Sequence, residues 1–431
     1  MKHGFYTIIA AQFFSSLADN ALLIAAIALL TETMPDDASW MTPLLRGTFI
    51  LSYVLFAAFV GAFADAMPKG RVMLITNTIK FGGCLLLIFG MHPLAAYAVV
   101  GLGAAAYSPA KYGILTELLP PKQLVAANSW IEGATVASII FGASIGGALV
   151  SDSIGQFLIS ITPPFIHSVA DAAMFIIMFG YVIAAVFNVF IPNTGVDHRI
   201  PSKNPLFLVR EFSHCVLLLW RDRLGQISLA TTTLFWGAGA TLQFVVLDWA
   251  AGALGYSLSK ATYLQAVVAG GVAVGAVLAA KLVSLRNSVK ILPLGAVMGI
   301  VVIAMIFVHH LRIAVPLLVL LGVMSGFFVV PMNALLQHRG HVLMGAGHSI
   351  AVQNFNENIG VLVMVSLYAA MMHADISVNV AITIFGCFLF VITGLIIIKH
   401  ARNQARGDSL HLIGMEKPKE RPSLSPPRQK P

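Results

Sequence analysis

The sequence predicts an all-α membrane protein of twelve transmembrane helices, arranged as two six-helix halves. Three observations carry that prediction. Of 431 residues, 58% are hydrophobic and only 10% charged, where soluble domains run at about 25% charged. The apolar residues come in blocks of about 20, the length that spans a hydrocarbon core of about 30 Å. Lysine and arginine gather on alternate loops, the pattern of cytoplasmic loops under the positive-inside rule. A soluble chain of this length would instead divide into domains with polar exteriors.

The first span, 5–31, is too long for a signal-peptide core of about 7–15 residues. It also carries Asp19 and Asn20, so it is expected to stay in place as a helix. Spans at 44–66, 71–90, 94–114, 123–150 and 169–191 complete an N-terminal bundle over 1–191. The stretch 192–224 is polar and basic and reads as a cytoplasmic linker. Spans at 225–249, 258–283, 289–308, 312–333, 345–372 and 378–399 form the C-terminal bundle over 225–400. The remainder, 401–431, is basic and proline-rich without apolar periodicity, and is expected to be a disordered tail. Cys84, Cys215 and Cys387 are scattered without a CxxC pair, and the 13 histidines form no ligand constellation. Neither a disulfide framework nor a metal or other cofactor is therefore predicted.

Charge placement gives the orientation. With both termini inside, all 26 lysines and arginines fall on the cytoplasmic side except Arg46, Lys260 and Arg312, outside, and Lys80, within a span. The loop 32–43 carries Glu32, Asp36 and Asp37 and no basic residue. The net charge of +8 thus reports topology and contact with anionic membrane lipid, and no nucleic-acid partner is expected.

The two halves echo each other. SSLADNAL at Ser15–Leu22 sits where WGAGATLQ at Trp236–Gln243 sits in the second half. Gly61 and Asp65 before Lys69 and Arg71 have a worn counterpart in Gly275 to Lys281 with Arg286. Pro109 in YSPAKYGILTELL matches Pro331 in VVPMNALLQHRG. A parallel duplication of six spans places a transport cavity between the halves, near the midplane.

A charge at the centre of a membrane helix costs about 2.5–3.5 kcal/mol, so it requires a partner or a wet cavity. Asp19 and Asn20 face either a helix interface, as a structural hydrogen bond, or a cavity, as a contact for a headgroup or coupling cation. Lys80 has Asn77 one turn before it, and its long stem either snorkels to the interface or turns inward. Glu132 follows Asn128, and Gln353, Asn354, Glu357 and Asn358 share one helix face. For both glutamates, substrate contact and structural pairing remain open. Asp248, near the outer end of its span, reads as interfacial. Small residues at Gly101–Ala106, Gly142–Gly147 and Gly270–Gly275 allow close helix approach. Gly61, Asp65, Lys69 and Arg71 close the inner end of the second span as a clamp, a conformational gate and not a substrate site.

GAFADAMPKGRVM (61–73) resembles the signature of the major facilitator superfamily, with Pro68 and Lys69-Gly70-Arg71 replacing its usual Gly-Arg-Lys ending. AQFFSSLADNALL (11–23), AAAYSPAKYGILTEL (104–118), LFWGAGATL (234–242), GFFVVPMNALLQHRG (326–340) and GAGHSIAVQNFNEN (345–358) are more specific. In that order they resemble the bacterial lysophospholipid transporter family, from about residue 7 to about 395. The resemblance implies the major facilitator fold in a bacterial inner membrane. It implies movement of lysophospholipids, chiefly lysophosphatidylethanolamine, from the outer to the inner leaflet, where an acyl-carrier-protein-dependent acyltransferase and synthetase restores the second chain. No His-x4-Asp pattern is present to supply that chemistry here. Asp19, Asn20, Lys80, Lys111, Glu132, Gln353, Asn354 and Glu357 match polar positions of the family. Gln243 stands where the family pattern has an arginine, with Asp248 nearby. Asp19 is expected to meet the ethanolamine ammonium, and a basic group such as Lys80 the phosphate. The rivals are a proton-coupled major facilitator exporter of drugs or other amphiphiles, with Asp19 as protonation site, and a membrane scaffold that anchors the acyltransferase.

Overall fold

In hydrocarbon an unpartnered backbone N–H or C=O costs several kcal/mol, so each crossing closes its hydrogen bonds within a helix. A computed structural model describes residues 3–36, 38–163, 166, 168–196, 204–256, 258–407 and 410–413, and among them no strand occurs. The first half comprises α1 (His3–Thr33), α2 (Ala38–Leu55), α3 (Ala57–Asp65), α4 (Lys69–Ile88), α5 (Pro93–Leu118), α6 (Leu124–Leu149), α7 (Asp152–Ile161) and α8 (Val169–Val189). After α9 (Pro205–Arg221) come α10 (Gly225–Leu254), α11 (Leu258–Leu282), α12 (Leu292–Ala304), α13 (Leu311–Met344), α14 (Ala346–His373) and α15 (Val378–Ala405).

Twelve crossings result, with α2 and α3 together making the second. Ten are long and apolar enough singly, and α2 with α3 passes as a pair bent by 62°. The remaining crossing, α5, has 26 residues but is diluted by glycine, alanine, serine and tyrosine. It is buried along most of its length, so its surface meets other helices instead of lipid.

Three sequence expectations are corrected in detail. The second span is not continuous over 44–66, because the helix breaks at Phe56 (φ −98°, ψ 3°). The linker 192–224 is not uniformly loop: Asn204 caps α9, which buries Phe212, Cys215 and Leu219 against the bundle. The tenth span runs past 333 to Met344, so Arg339 lies on a helix and not in a loop. An unforeseen short helix, α7, covers Ala172 with Leu158 and leaves Ile154, Phe157 and Ile161 exposed. The last helix continues to Ala405, and most of the tail expected to be disordered lies outside the described residues.

The predicted duplication is visible in which helices touch. In the first half α1 packs on α6 and α8, α2 on α5, and α4 on α8. In the second, α10 packs on α14 and α15, α11 on α13, and α12 on α15, the same pairs six spans later. Pro109 and Pro331 sit inside the corresponding helices α5 and α13. Between the halves α6 meets α11, and α14 meets α2, α3 and α5. The start of α1 and the end of α15 share one side with Lys69, Arg71, Lys122, Lys281 and Arg286, here called the basic face.

The tightest packing joins α11 to α13, where a β-carbon on Gly275 would overlap the Val323 carbonyl and one on Gly322 the Val268 carbonyl. Gly270, one turn away, faces open space. Overpacking a close helix contact costs about 1–3 kcal/mol. Gly275→Val is therefore expected to lower the unfolding temperature of detergent-purified protein by several degrees or more, while Gly270→Val leaves it nearly unchanged; a thermal melt followed by size exclusion reads both.

Candidate functional site

Within the first half, Lys80 does not snorkel. It turns inward and is 1% exposed. Its Nζ donates to Asp19 Oδ2 at 2.7 Å and to Ser15 Oγ at 3.0 Å. Tyr181 OH donates to the other Asp19 oxygen at 2.7 Å, and Ser15 Oγ donates to Asn77 Oδ1 at 2.8 Å. The ammonium also lies 4.8 Å from the centre of the Tyr107 ring. One ion pair thus links α1, α4, α5 and α8, and Asp19 and Lys80 satisfy each other instead of standing free for a ligand. Breaking such a buried pair by removing one partner costs about 3–5 kcal/mol.

A second group lies where the halves meet. Lys111 on α5 lies within electrostatic reach of Glu132 on α6, and Tyr112 approaches the same carboxylate. Glu357 on α14 faces Glu132 across the interface. Gln353 Nε2 donates to Glu357 Oε1 at 2.8 Å and to Asn333 Oδ1 at 3.1 Å. Asn354 reaches across to Ser108 Oγ at 2.9 Å. The Lys111 ammonium lies 4.1 Å from the Tyr112 ring centre and makes no hydrogen bond among the described residues. Glu132 Oε1 and Gln353 Oε1 are buried without a partner. Buried polar atoms are nearly always satisfied, so orphans gathered at one interface point to a ligand or water. The set can receive both a cationic and an anionic group.

The predicted gate assembles, with one member changed. Asp65 ends α3 and points across to the start of α14, whose cap residue Gly345 (φ +96°) supplies no side-chain acceptor. The first amides of a helix lack intrahelical partners and carry its positive end. Asp65 supplies what is missing: Oδ1 accepts from Gly347 N at 2.8 Å, and Oδ2 from His348 N at 3.1 Å. His348 Nδ1 is 2.8 Å from the same Oδ2, and Lys69 Nζ donates to Oδ1 at 2.8 Å. Lys69 also reaches Glu117 at 3.4 Å. A β-carbon on Gly61 would press on Ala351 at 2.9 Å, so the glycine permits this approach. Arg71 does not join: it is exposed and makes no ion pair among the described residues.

Other cross-half bonds lie nearby. Asn128 and Gln337 exchange amide hydrogen bonds at 2.9 Å, and Ser129 Oγ donates to the Ala276 carbonyl. Within the second half, Asp222 pairs with Arg339 at 2.6 Å and caps α10 through Gly225 N at 2.7 Å. All of these lie on the half of the bundle nearest the basic face, which is shut. His348, Glu117, Asp222 and Arg339 were not singled out from the sequence, because each gains its role from a partner distant along the chain.

Two predicted site residues stand apart. Asn20 bonds its own helix, Nδ2 to Ser16 O at 2.7 Å, beneath Gly142. Gln243 has an exposed side chain, and only its carbonyl is used, accepting from Gln265 at 2.8 Å. Asp248, expected at the interface, accepts from Tyr368 OH at 2.5 Å.

Comparison with known proteins adds three findings. The model of the Major Facilitator Superfamily matches residues 8–365. The lysophospholipid transporter LplT of Yersinia enterocolitica is 41% identical, over 88% of this chain and 89% of its own. That of Citrobacter koseri is 42% identical, over 91% and 94%. Among solved structures, a bacterial homologue of the iron transporter ferroportin superposes with a TM-score of 0.71 at 14% identity, covering 94% of this chain and 100% of that one. The transporter FucP gives 0.67 at 14% identity, covering 93% and 98%. These two likenesses concern the fold alone.

Two outcomes are expected. Lys80→Met should lower the unfolding temperature strongly, and Asp19→Asn combined with it should recover much of the loss, as a double-mutant cycle of melts reads. In a background without Cys84, Cys215 and Cys387, a cysteine at Ala346, which is 3% exposed, should react slowly with a maleimide. Asp65→Ala should speed that labelling by about tenfold or more, since each charge-assisted hydrogen bond lost is worth about 1.5–3 kcal/mol.

Proposed function

This chain belongs to the lysophospholipid transporter LplT family of the major facilitator superfamily, and from that membership we propose that it carries lysophospholipids across a bacterial inner membrane. It is a multi-pass membrane protein, and its basic face is the cytoplasmic one under the positive-inside rule. With that face closed by the cross-half contacts, the present conformation receives substrate from the outer leaflet, and opening of the face delivers it to the inner one, where an acyl-carrier-protein-dependent acyltransferase rebuilds the diacyl lipid.

The observation that carries the reading is the charge balance where the halves meet. Asp19 offsets Lys80, and Lys111 lies near Glu132, so Glu357 remains as a buried acid without an ion-pair partner among the described residues. A zwitterionic headgroup complements that arrangement: its phosphate takes the Lys111 ammonium, which lacks a hydrogen bond, and its ammonium takes Glu357 and Glu132. Gln353 Oε1 offers a further acceptor. Asp19 and Lys80, bonded to each other inside the first half, leave the headgroup to this cross-half set. Transport by this route consumes no covalent chemistry, which fits the transporter names of the relatives.

The test uses purified protein in liposomes and fluorescent lysophosphatidylethanolamine. Inward movement is expected and should survive a protonophore, whereas a proton-coupled exporter of drug-like cations would lose its gradient-driven flux. Lys111→Met and Glu357→Gln should each slow movement by roughly 10- to 100-fold, the loss of one charge-assisted contact. Lys111→Arg should retain most of it. Wild-type rates in both neutral variants would refute the assignment.

A further inference from the structure

On the basic-face side of the second half, away from the cross-half site, α10 and α15 part to leave a groove of 270 Å³. Its walls are Ile227 and Ala230 of α10 with Leu395 and Ile396 of α15, and its mouth is formed by Trp220 at the end of α9 and Lys399. The depth is that of the leaflet on the basic face, because α10 begins and α15 ends there. An apolar cleft of this length suits an acyl chain, and an indole and an amine at its mouth suit the headgroup level.

Charge identifies the lipid. Arg402 stands one turn beyond Lys399 on the same face of α15, and both are exposed. Neither makes an ion pair with a carboxylate among the described residues; Asp222, the acid next to α9, is taken by Arg339. Arg221 and Arg223 add positive charge on the adjoining turn, Arg223 being held to the Gly407 carbonyl at 3.1 Å. The wall is fixed as well: Trp220 Nε1 donates to Asn356 Oδ1 on α14 at 3.2 Å. On α9 the exposed row Leu206, Val209, Leu217 and Trp220 follows helical spacing, the mark of a helix lying at a membrane interface. The groove therefore opens into the lipid headgroup region and not into water.

We propose that this groove is a specific site for one anionic phospholipid of the basic-face leaflet, with its phosphodiester on Lys399 and Arg402 and one acyl chain between α10 and α15. Lipid that merely surrounds the protein would show no headgroup preference, whereas two surface cations favour an anionic head by about tenfold or more. Trp220 links the site to α14, the helix that also carries the gate.

Native mass spectrometry of the full chain, with equimolar phosphatidylglycerol and phosphatidylcholine of matched acyl chains, tests the proposal. The unmodified protein should retain one phosphatidylglycerol in preference to phosphatidylcholine by about tenfold. Lys399→Gln with Arg402→Gln should abolish the preference, and Lys399→Arg should keep it. Leu395→Trp, which fills the groove and spares the cations, should also cut retention. Equal retention of the two lipids by the unmodified chain, or an undiminished preference in either the double variant or Leu395→Trp, overturns the site. The readout is lipid retention and not lysolipid movement, so the result is independent of the transport reading.

Discussion

The cap that Asp65 places on α14 is the constraint from which the rest of the closed face follows. A helix that begins inside a bundle exposes amides that nothing in its own sequence satisfies, and Gly345 supplies no side-chain acceptor. The acceptor comes from the other half of the molecule, so the helix end is complete only while the halves touch. Lys69 pairs with the carboxylate, and the His348 ring nitrogen lies 2.8 Å from it, so both hold it in place. The groups that make the contact are charged and largely buried, and a single side chain supplies both acceptors. Gly61 is required for geometry, since a β-carbon there would push the helices apart.

The same helix carries the polar stripe of the cross-half site. Glu357 lies ten residues beyond Gly347 on α14, about 15 Å along the axis. Glu357 and the amides that Asp65 holds therefore belong to one continuous helix. Asp19 and Lys80 have a different part: they neutralise each other inside the first half and keep four helices together as one unit. Isolated, either charge would be costly in the bundle; paired, they offset each other.

The architecture was legible in the sequence because bilayer thickness sets span length and charge asymmetry sets orientation. The repeat could be read from Pro109 and Pro331, and the ionisable residues from their cost in hydrocarbon. Other features were not legible for physical reasons. α7 and α9 are shorter than a span and amphipathic, so a search for apolar blocks passes over them. The break at Phe56 has no proline or glycine at the bend, so no local breaker marks it in the sequence. The inward turn of Lys80 depended on partners 65 and 61 residues away, which no local pattern encodes. Arg71 matched the motif by residue type, yet its place on the exposed side of α4 takes it out of the clamp. His348 and Arg339 drew no notice because a histidine or arginine near a span end is ordinarily a solvated residue.

Amide hydrogen–deuterium exchange of the segment spanning Gly347 and His348, with the protein in lipid nanodiscs, probes the central claim most directly. Strong protection is expected in the unmodified chain, collapsing when Asp65 is replaced by alanine while the middle of α14 stays protected. Unaltered protection of those two amides in the alanine variant would contradict the account.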